Sequence, residues 1–278
     1  MLLTARRHIR KMRGGAQSHL LEADDGQFYI VKFQNNPQHR RILVNELVAS
    51  VFLKYLQLSS AEAALIHVSE EFIRENPDAS IELGTKRVPV STGRQFGSRY
   101  PGDPSKMAVY DFVPDTLLHQ VRNLSDFLGV LVFDKWVSNA DGRQAVFFRA
   151  RVREWLPGAT ETHALTMGFV GLMIDHGFAF NGPDWKFTDS PVQGLYPRKL
   201  VYGDVASLAQ FEPWLERVMH FPEEVVDQAL KQVPPEWMPG EQDEFERMLE
   251  ELMHRRKLLP DLIRDVRRAK VSPFPKWE

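Results

Sequence analysis

The segment that decides the fold is residues 27–33, which read QFYIVKF. Aromatic and β-branched residues dominate this segment, as is typical of a buried β-strand. Lys32 alternates in phase with Ile30 and Phe28, and alternate side chains of a strand lie on one face. The ammonium group of Lys32 therefore points to an apolar interior, where a charged group needs a partner of opposite sign.

The partner that we predict for Lys32 is Glu46, in the segment that follows the strand. Residues 39–57 carry apolar residues at helical spacing, among them Leu43 and Leu47, which predicts a helix. A helix glutamate that holds a strand lysine directs its ammonium group at phosphate oxygens. A purely structural ion pair is the alternative that the same two residues leave open.

Upstream of this strand, residues 4–33 predict a meander of three strands, with turns at Gly14-Gly15 and Asp24-Asp25-Gly26. We interpret the first turn as a phosphate-binding turn, because small residues let backbone N–H groups approach phosphate closely. Its predicted binding residues are Gly14, Gly15, Ala16, Gln17 and Ser18. An ordinary hairpin is the alternative.

The strand before this turn is rich in basic residues between Arg6 and Arg13. Two interpretations stay open: a solvated basic strand, or a positive lip near a bound phosphate.

Downstream, residues 60–112 predict short strands and turns, with a mobile loop over 94–104 and a strand over 107–113. We place a domain boundary there, which divides the chain into residues 1–112 and 113–278. In the second part, Ser125 is the predicted N-cap of a helix over 126–138 that is apolar nearly all round. Strands over 145–155 and 162–174, separated by Pro157-Gly158, precede helices over 205–270.

Two aspartates lie where this second part would carry chemistry. Asp141 follows the apolar helix in a polar loop, and Asp175 ends the apolar segment 169–174 just before a glycine turn. Mg²⁺ prefers one or two carboxylates together with phosphate oxygens, so we predict Asp175 as a metal ligand and Asp141 as the group that orients an attacking hydroxyl. Both acids beside glycine are also ordinary turn formers. The order of glycine turn, strand lysine, helix glutamate and two acids is the order that protein-kinase-type phosphoryl transfer requires.

The composition excludes several other classes of protein. The chain of 278 residues has no cysteine, so it forms no disulfide, thiolate metal site or cysteine nucleophile. Its net charge of −2 gives no general attraction to nucleic acid or to an anionic membrane. The N-terminus lacks the apolar core of a secretory signal, and no segment reaches the ~18 apolar residues of a membrane span. We therefore expect a soluble, cytoplasmic protein.

Three motifs resemble those of the HipA family of kinases: residues 15–18 (GAQS), 139–142 (NADG) and 174–177 (IDHG). The first is similar to the phosphate-binding turn of that family, the second to its catalytic loop and the third to its metal-binding strand end. The resemblance covers residues 10–185. It implies an α+β, bilobal, protein-kinase-like fold, with an N-lobe of antiparallel sheet plus helix and a mostly α-helical C-lobe. It also implies ATP and Mg²⁺ as cofactors, and a Ser or Thr hydroxyl of a protein as the acceptor.

The resemblance also assigns roles to individual residues. Lys32 would contact the phosphates, Glu46 would brace it, Asp141 would be the base and Asp175 the metal ligand. The hinge that meets adenine would be formed by Tyr110, Asp111 and Phe112.

One departure from the family pattern concerns the second metal ligand. The asparagine that the family usually has five residues past the catalytic aspartate is replaced by Val146. Gln144 and Asn139 are the candidates that remain for this position. The segment 177–200 lies where a regulatory segment is expected, with Thr188 and Ser190 as candidate phosphorylation sites.

Other functions stay open beside the protein kinase. Val146 favours a nucleotide-binding pseudokinase without catalysis, which would act as a regulatory or toxin–antitoxin interaction module with a protein partner. A kinase for small molecules is a further alternative. No helix-turn-helix that would contact DNA is evident.

Overall fold

A computed structural model describes residues 2–156 and 166–277. The first half of the chain forms a closed five-stranded barrel. The barrel order is β1-β2-β3-β7-β4, with antiparallel neighbours except for the parallel pair of β1 and β4. Its strands are β1 (Leu2–Lys11), β2 (His19–Ala23), β3 (Phe28–Lys32), β4 (Ala63–Val68) and β7 (Gly93–Arg99). The strand that carries Lys32 therefore lies between β2 and β7.

Two helices and a hairpin accompany the barrel. They are helices α1 (Arg41–Tyr55) and α2 (Glu70–Glu75) and the hairpin of β5 (Ser80–Leu83) and β6 (Lys86–Pro89). Most of α1 is buried, including Glu46, because the helix has apolar residues on nearly every side. This burial brings a glutamate into an interior that would otherwise exclude it.

A second sheet follows, in the order β10-β9-β8. Its strands are β8 (Val109–Tyr110), β9 (Gln144–Arg151) and β10 (Met167–Ile174). Strands β9 and β10 pair antiparallel, with Gln144 opposite Ile174 and Val146 opposite Leu172. This register places the residues just after the Asp141 loop beside the strand end that precedes Asp175.

The remaining helices surround an apolar core that continues from α1. They are α3 (Asp115–Leu118), α4 (Asp126–Trp136), α5 (Val152–Trp155), α6 (Trp214–Met219), α7 (Glu223–Gln232), α8 (Gln242–Arg255) and α9 (Leu259–Arg267), with short 3₁₀ helices between them. At the centre Trp136 of α4 stacks on Phe52 of α1 and donates its indole N–H to the Leu252 carbonyl of α8, at 2.9 Å. The apolar pattern of α4 is explained by this central position.

The predicted mobile loop over residues 94–104 is wrong over most of its length. Residues 93–99 form β7, which pairs with both β3 and β4 and closes the barrel. Gly97 lies in this strand, and a larger residue would not fit there. A Cβ at this position would lie 2.5 Å from Ile66 Cγ1, closer than real contacts allow. The glycine that suggested a loop is thus needed for close packing between two strands.

Smaller differences concern the second half. The predicted strand over 107–113 shortens to Val109–Tyr110, and residues 152–155 form a helical turn and not the end of a strand. Ser125 does precede α4, but its backbone is helical and its side chain forms no capping hydrogen bond. The turn predicted at Pro157-Gly158 lies outside the described residues. Within residues 2–156 and 166–277, no helix has the length and apolar character needed to cross a membrane.

Candidate active site

A cavity of about 510 Å³ lies between the barrel and the second sheet. Strands β1, β3 and β7 contribute to one wall, and β9 and β10 to the other. The predicted site residues that line it are Ser18, Lys32, Glu46, Asp111, Gln144 and Asp175. Residues far apart in the sequence therefore meet around one space.

The centre of the site is an ion triad around Lys32. Its ammonium group donates hydrogen bonds to Glu46 Oε1 and, at 2.8 Å, to Asp175 Oδ1. Burial by itself lowers the pKa of Lys32, but the two carboxylates outweigh it and leave the pKa raised. The pairing of Lys32 with Glu46 that the sequence predicts is present, and Asp175 completes it.

The two carboxylates of the triad differ in exposure. Glu46 is only 2% exposed, and burial raises its pKa against the opposing effect of Lys32. The Asp175 side chain is 34% exposed. Burial raises its pKa as well, but the charge of Lys32 and the hydrogen bond from it leave the value lowered. Asp175 is thus ionised and faces the cavity, whereas Glu46 is enclosed behind Lys32.

The turn after β10 gives Asp175 this orientation. Asp175 has a φ of +57°, a left-handed conformation that is uncommon for a residue with a side chain. Gly177 is required two residues later, because a Cβ would lie 2.5 Å from Ile42 Cγ2 and 3.4 Å from Lys32 Nζ. The glycine in the predicted motif lets the chain pass closely behind the lysine.

Asn45, the neighbour of Glu46 on α1, holds the segment that follows Asp175. Its amide nitrogen lies 2.8 to 3.0 Å from the carbonyls of Gly177, Ala179 and Gly182, and its oxygen accepts the indole N–H of Trp185. Asn45 is fully buried, and every hydrogen-bonding atom of its amide group has a partner on this segment. Sequence reasoning missed this residue, although a polar residue inside an apolar helix is a signal that can be read.

The Asp141 side chain is exposed and does not itself line the cavity, but it contacts Gln144, which does. Its Oδ1 accepts the backbone N–H of Gly142 at 2.7 Å, and its Oδ2 accepts Gln144 Nε2 at 3.2 Å. Gln144 in turn lines the cavity. The predicted base Asp141 is thus one hydrogen bond removed from the residues that line the cavity.

A buried ion pair between Asp134 and Arg143 supports the loop of Asp141. Sequence reasoning missed this pair. Both residues are 1% exposed. Arg143 donates through Nε at 2.8 Å and through Nη2 to the Asp134 carboxylate, and through Nη1 to the Ile174 carbonyl at 3.0 Å. One arginine therefore connects α4, the start of β9 and the end of β10. An acid inside an apolar helix, followed by an arginine in the next loop, was the available signal.

His176 completes the buried cluster as a neutral imidazole. Its Nδ1 lies 2.9 Å from Arg143 Nη1 and accepts a hydrogen bond, because an arginine can only donate. Burial, together with the positive charge of Arg143, lowers the pKa of His176 well below its ordinary value.

Asn139 is not placed as a metal ligand, so this prediction needs correction. The residue is 1% exposed, its Nδ2 donates to Asp134 Oδ1, and its oxygen accepts the backbone N–H of Asp141 at 3.2 Å. Both polar atoms are used to shape the loop, and the side chain does not line the cavity.

Val146 and Gln144 lie where β9 borders the cavity, so both are positioned to influence a ligand there. The amide of Gln144 is directed at the open edge, while Val146 contributes an apolar surface opposite Leu172.

The predicted phosphate-binding turn has positive φ at two positions, +117° at Gly14 and +46° at Gln17. Of its five residues, only Ser18 lines the cavity. Gln17 points elsewhere: its amide exchanges hydrogen bonds with the backbone of Glu82 and accepts Lys11 Nζ at 2.6 Å. The turn is thereby tied to β5 at the edge of the site.

Of the three predicted hinge residues, only Asp111 lines the cavity, together with Val109. Tyr110 is 47% and Phe112 is 61% exposed. The Phe112 ring lies under the guanidinium of Arg198, 4.5 Å from its centroid. Phe112 therefore contacts the part of the chain that follows the second sheet and does not point into the cavity.

The charges around the cavity are unequal. Five basic residues line it, namely Arg10, Lys11, Arg13, Lys32 and Arg99. The acidic residues that line it are Glu46, Asp111 and Asp175. Since Glu46 and Asp175 pair with Lys32, and Glu62 pairs with Arg99 at 2.8 Å, the excess positive charge lies on Arg10, Lys11 and Arg13 at the end of β1.

Comparison with known proteins places this geometry in context. A protein-family model described as HipA-like kinase matches residues 6–265 of this chain. The fold is similar to that of the Golgi casein kinase, with a TM-score of 0.52 and 12% identity over 99% of this chain and 78% of that chain. The structure of the Golgi casein kinase with Mn/ADP bound gives a TM-score of 0.51 and 11% identity over 96% of this chain and 74% of that one. At these identities the likeness concerns the protein-kinase-like fold alone. The comparison with curated proteins gave no match.

Proposed function

The chain belongs to the HipA-like kinase family, and on that premise we propose that it transfers the γ-phosphate of ATP to a hydroxyl group of a protein serine or threonine. The observation that carries the proposal is the triad in which Lys32 is fixed between enclosed Glu46 and partly exposed Asp175, inside a cavity large enough for a nucleotide. A lysine held in this way directs its charge at a ligand and not at bulk water.

The charge of the cavity supports a polyphosphate ligand. ATP carries several negative charges, and the lining has cations on β1 and β7 in addition to Lys32. Electrostatic stabilisation of this kind is the main contribution of a protein to phosphoryl transfer. The basic segment before the glycine turn then acts as the positive lip that its sequence suggested.

Asp175 and Gln144 are the residues that would hold Mg²⁺. Mg²⁺ takes one or two protein ligands and completes its shell with phosphate oxygens and water, and Asp175 and Gln144 both line the cavity with oxygen atoms that could serve. When bound, Mg²⁺ would neutralise charge on the phosphates.

Asp141 is the proposed base. Its carboxylate is open to solvent, and Asn139 and Gly142 fix the surrounding loop through backbone N–H contacts. It accepts the proton of the acceptor hydroxyl or orients that hydroxyl toward the phosphate. Ser18 of the turn and Asp111 of the hinge lie at the edges of the cavity where phosphates and adenine would be bound. We propose that residues 1–112 form an N-lobe and that residues 113–278 form a C-lobe.

The test is transfer from γ-labelled ATP with Mg²⁺, either to the protein itself or to a mixture of acceptor proteins. We expect loss of label with Asp141→Asn and with Asp175→Asn, and unchanged labelling with Asp243→Asn, an exposed aspartate on α8. Nucleotide affinity should fall mainly with Asp175→Asn and Lys32→Ala. Full labelling by Asp141→Asn would remove that residue from the role of base.

A nucleotide-binding protein without catalysis is the second candidate, and the apolar Val146 in the cavity wall favours it. It predicts that ATP raises the melting temperature of the protein while no label is transferred to any acceptor. An intact thermal shift in Asp141→Asn, together with no transfer by the wild type, would decide for this candidate.

A further inference from the structure

Lys135 is a buried lysine outside the cavity, on the last turn of α4. The residue is 4% exposed. Its ammonium group donates to three backbone carbonyls of a single loop: Ser190 at 2.8 Å, Pro191 at 3.1 Å and Gln193 at 2.7 Å. An ammonium group has three N–H donors, so this loop uses all of them.

The same loop is bonded directly to the chain around Asp141. The backbone N–H of Gly194 donates to the Asp141 carbonyl at 3.1 Å, and the backbone N–H of Arg143 donates to the Leu195 carbonyl at 3.1 Å. Gly194 has a φ of +71°, and a Cβ there would lie 2.4 Å from Asp134 Cβ. The close approach leaves the loop little freedom to move apart from α4.

Two further contacts hold the start of this loop. Ser138 Oγ donates to the Thr188 carbonyl at 2.6 Å, and Arg255 of α8 forms a two-pronged ion pair with Asp189. Thr188 and Ser190 therefore belong to a segment that the protein already orders through its own side chains. This arrangement needs no added phosphate to organise it.

The charge of Lys135 is not needed to satisfy a carboxylate in direct contact. Within the described part of the chain no acid lies within 4 Å of its nitrogen, although Asp134, Asp189 and Asp265 lie near enough to affect it. Burial lowers its pKa to about 8, with these acids opposing the shift. The hydrogen bonds to the three carbonyls offset the cost of burying this cation in an apolar helix.

We propose that Lys135 is a positioning residue for phosphoryl transfer, which clamps residues 190–193 to α4 and thereby fixes the loop of Asp141. This inference rests on the proposed function in assigning Asp141 the role of base. The clamp itself does not depend on that role. The two claims are therefore tested by different measurements.

The first measurement is hydrogen exchange of backbone amides. In Lys135→Met, which keeps the unbranched stem but removes the ammonium group and its donors, the amides of Gly194 and Arg143 should exchange faster. The amides of the barrel should keep their wild-type rates. Lys54→Met, an exposed lysine on α1, is the matched control and should change neither region. Unchanged protection of Gly194 and Arg143 in Lys135→Met would overturn the clamp.

The second measurement separates positioning from binding. Displacement of a catalytic group by ~1 Å costs about 100-fold in rate, so kcat of Lys135→Met should fall by one to two orders of magnitude. The dissociation constant for ATP should stay within about twofold, because Lys32 and Asp175 are untouched. An equal loss of ATP affinity would indicate general unfolding and would count against the proposal.

Chemical rescue gives a readout that a merely structural lysine would not show. A cavity of about 50 Å³ already adjoins Lys135, and Lys135→Ala would enlarge it. Added ethylammonium should restore both the slow exchange of Gly194 and the rate, whereas sodium at equal ionic strength should not. If Lys135→Met fails to fold, Lys135→Arg replaces it, and its amide exchange should lie between wild type and Lys135→Ala with no amine added. Absence of rescue by ethylammonium, or exchange in Lys135→Arg as fast as in Lys135→Ala, would overturn the proposal.

If the wild type transfers no phosphate, the proposed function fails while the exchange and rescue of the loop still test the clamp. If transfer occurs but exchange is unaffected by Lys135→Met, the clamp fails and the proposed function stands.

Discussion

Two buried lysines show how differently one residue type is used in this protein. Lys32, on β3, contacts the carboxylates of Glu46 and Asp175, and its pKa is raised. Lys135, on α4, contacts only backbone carbonyls, and its pKa is lowered to about 8. Both are nearly sealed from solvent.

The difference lies in the partner and not in the burial. A carboxylate compensates for the lost hydration of a buried ammonium group with a full opposite charge. A carbonyl dipole compensates for only part of that lost hydration. Lys32 is thus a permanent cation suited to meet a charged ligand. Lys135 is a cation retained for its three directed hydrogen bonds, and each role can be broken separately.

The largest expected effect comes from Lys32→Met. We expect phosphoryl transfer to fall by about three orders of magnitude or more, since an electrostatic contact of the transition state is lost. Stability should also fall by roughly 3–5 kcal/mol near pH 8, because Glu46 is left buried without its cation. Urea unfolding and labelling with γ-labelled ATP measure the two losses.

The pH dependence of this variant identifies Glu46 as the cause. Burial raises the folded-state pKa of Glu46, so the unpaired carboxylate holds a proton that the unfolded chain releases. Stability of Lys32→Met should therefore be best at low pH and fall as pH rises from about 4.3, the ordinary glutamate value, through the raised folded value. Lys32→Met/Glu46→Gln should regain most of the stability at pH 8 but none of the transfer. A flat pH profile for the single variant would contradict this account.

Arg143→Met should have the next largest effect on stability. It leaves Asp134, 1% exposed, without its partner and should cost about 3 kcal/mol, as removal of one member of a buried pair does. Because Arg143 also holds the Ile174 carbonyl, transfer should fall with it. The double variant Asp134→Leu/Arg143→Met should recover stability in urea unfolding without recovering transfer, and recovery of both would remove the pair from the function.

A smaller effect is expected for Lys135→Met, about 1–2 kcal/mol at pH 7, because the groups left without a partner are three neutral carbonyls and no unpaired charge is left behind. Its pH dependence comes from the titration of the lysine itself, whereas that of the Lys32 variant comes from Glu46. In the unfolded chain lysine keeps its proton to about 10.4, while folded Lys135 releases it near 8.

The unfolded state therefore binds more protons across that window, and wild-type stability should rise relative to Lys135→Met as pH increases from 8 to 10. Urea unfolding at three pH values in this range measures the difference between the two proteins. A difference that shrinks with rising pH would show that the pKa of Lys135 is not lowered.

The smallest effect on stability is expected for Val146→Asn, within about 1 kcal/mol, since the side chain lines the cavity and an amide there can reach water. If Mg²⁺ is held at this edge, the added oxygen should lower the Mg²⁺ concentration at half-maximal transfer. Val146→Thr is the matched control, with a polar atom but no amide oxygen. An unchanged Mg²⁺ requirement in Val146→Asn would place the ion away from β9.

Local patterns predicted a good part of this protein. The alternation in residues 28–32 and the turn at Asp24-Asp25-Gly26 give β2 and β3 nearly at their observed bounds, because strand periodicity and turn chemistry act over a few residues. The pairing of Lys32 with Glu46 was predicted because a charge inside an apolar pattern must find a partner. The catalytic and metal roles of Asp141 and Asp175 stay predictions that the experiments above address.

Other features were out of reach of local patterns. The strand β7 was mistaken for a loop because the packing of Gly97 against Ile66 cannot be seen in a stretch rich in Gly, Pro and Ser. Asn139 has the chemistry of a metal ligand, and only its position beside Asp134 shows that its amide is used elsewhere.

The sequence by itself determined which residues must be buried, which segments alternate as strands or helices, and that Lys32 requires an acid. These follow from hydrophobicity and backbone geometry, which each residue carries with it. The tertiary structure decided that Asp175 joins the triad, that Arg143 links three elements and that Lys135 faces three carbonyls of one loop. Such contacts depend on how the whole chain closes around its core, because a hydrogen bond requires two atoms within about 3 Å and their separation along the chain says nothing of that distance.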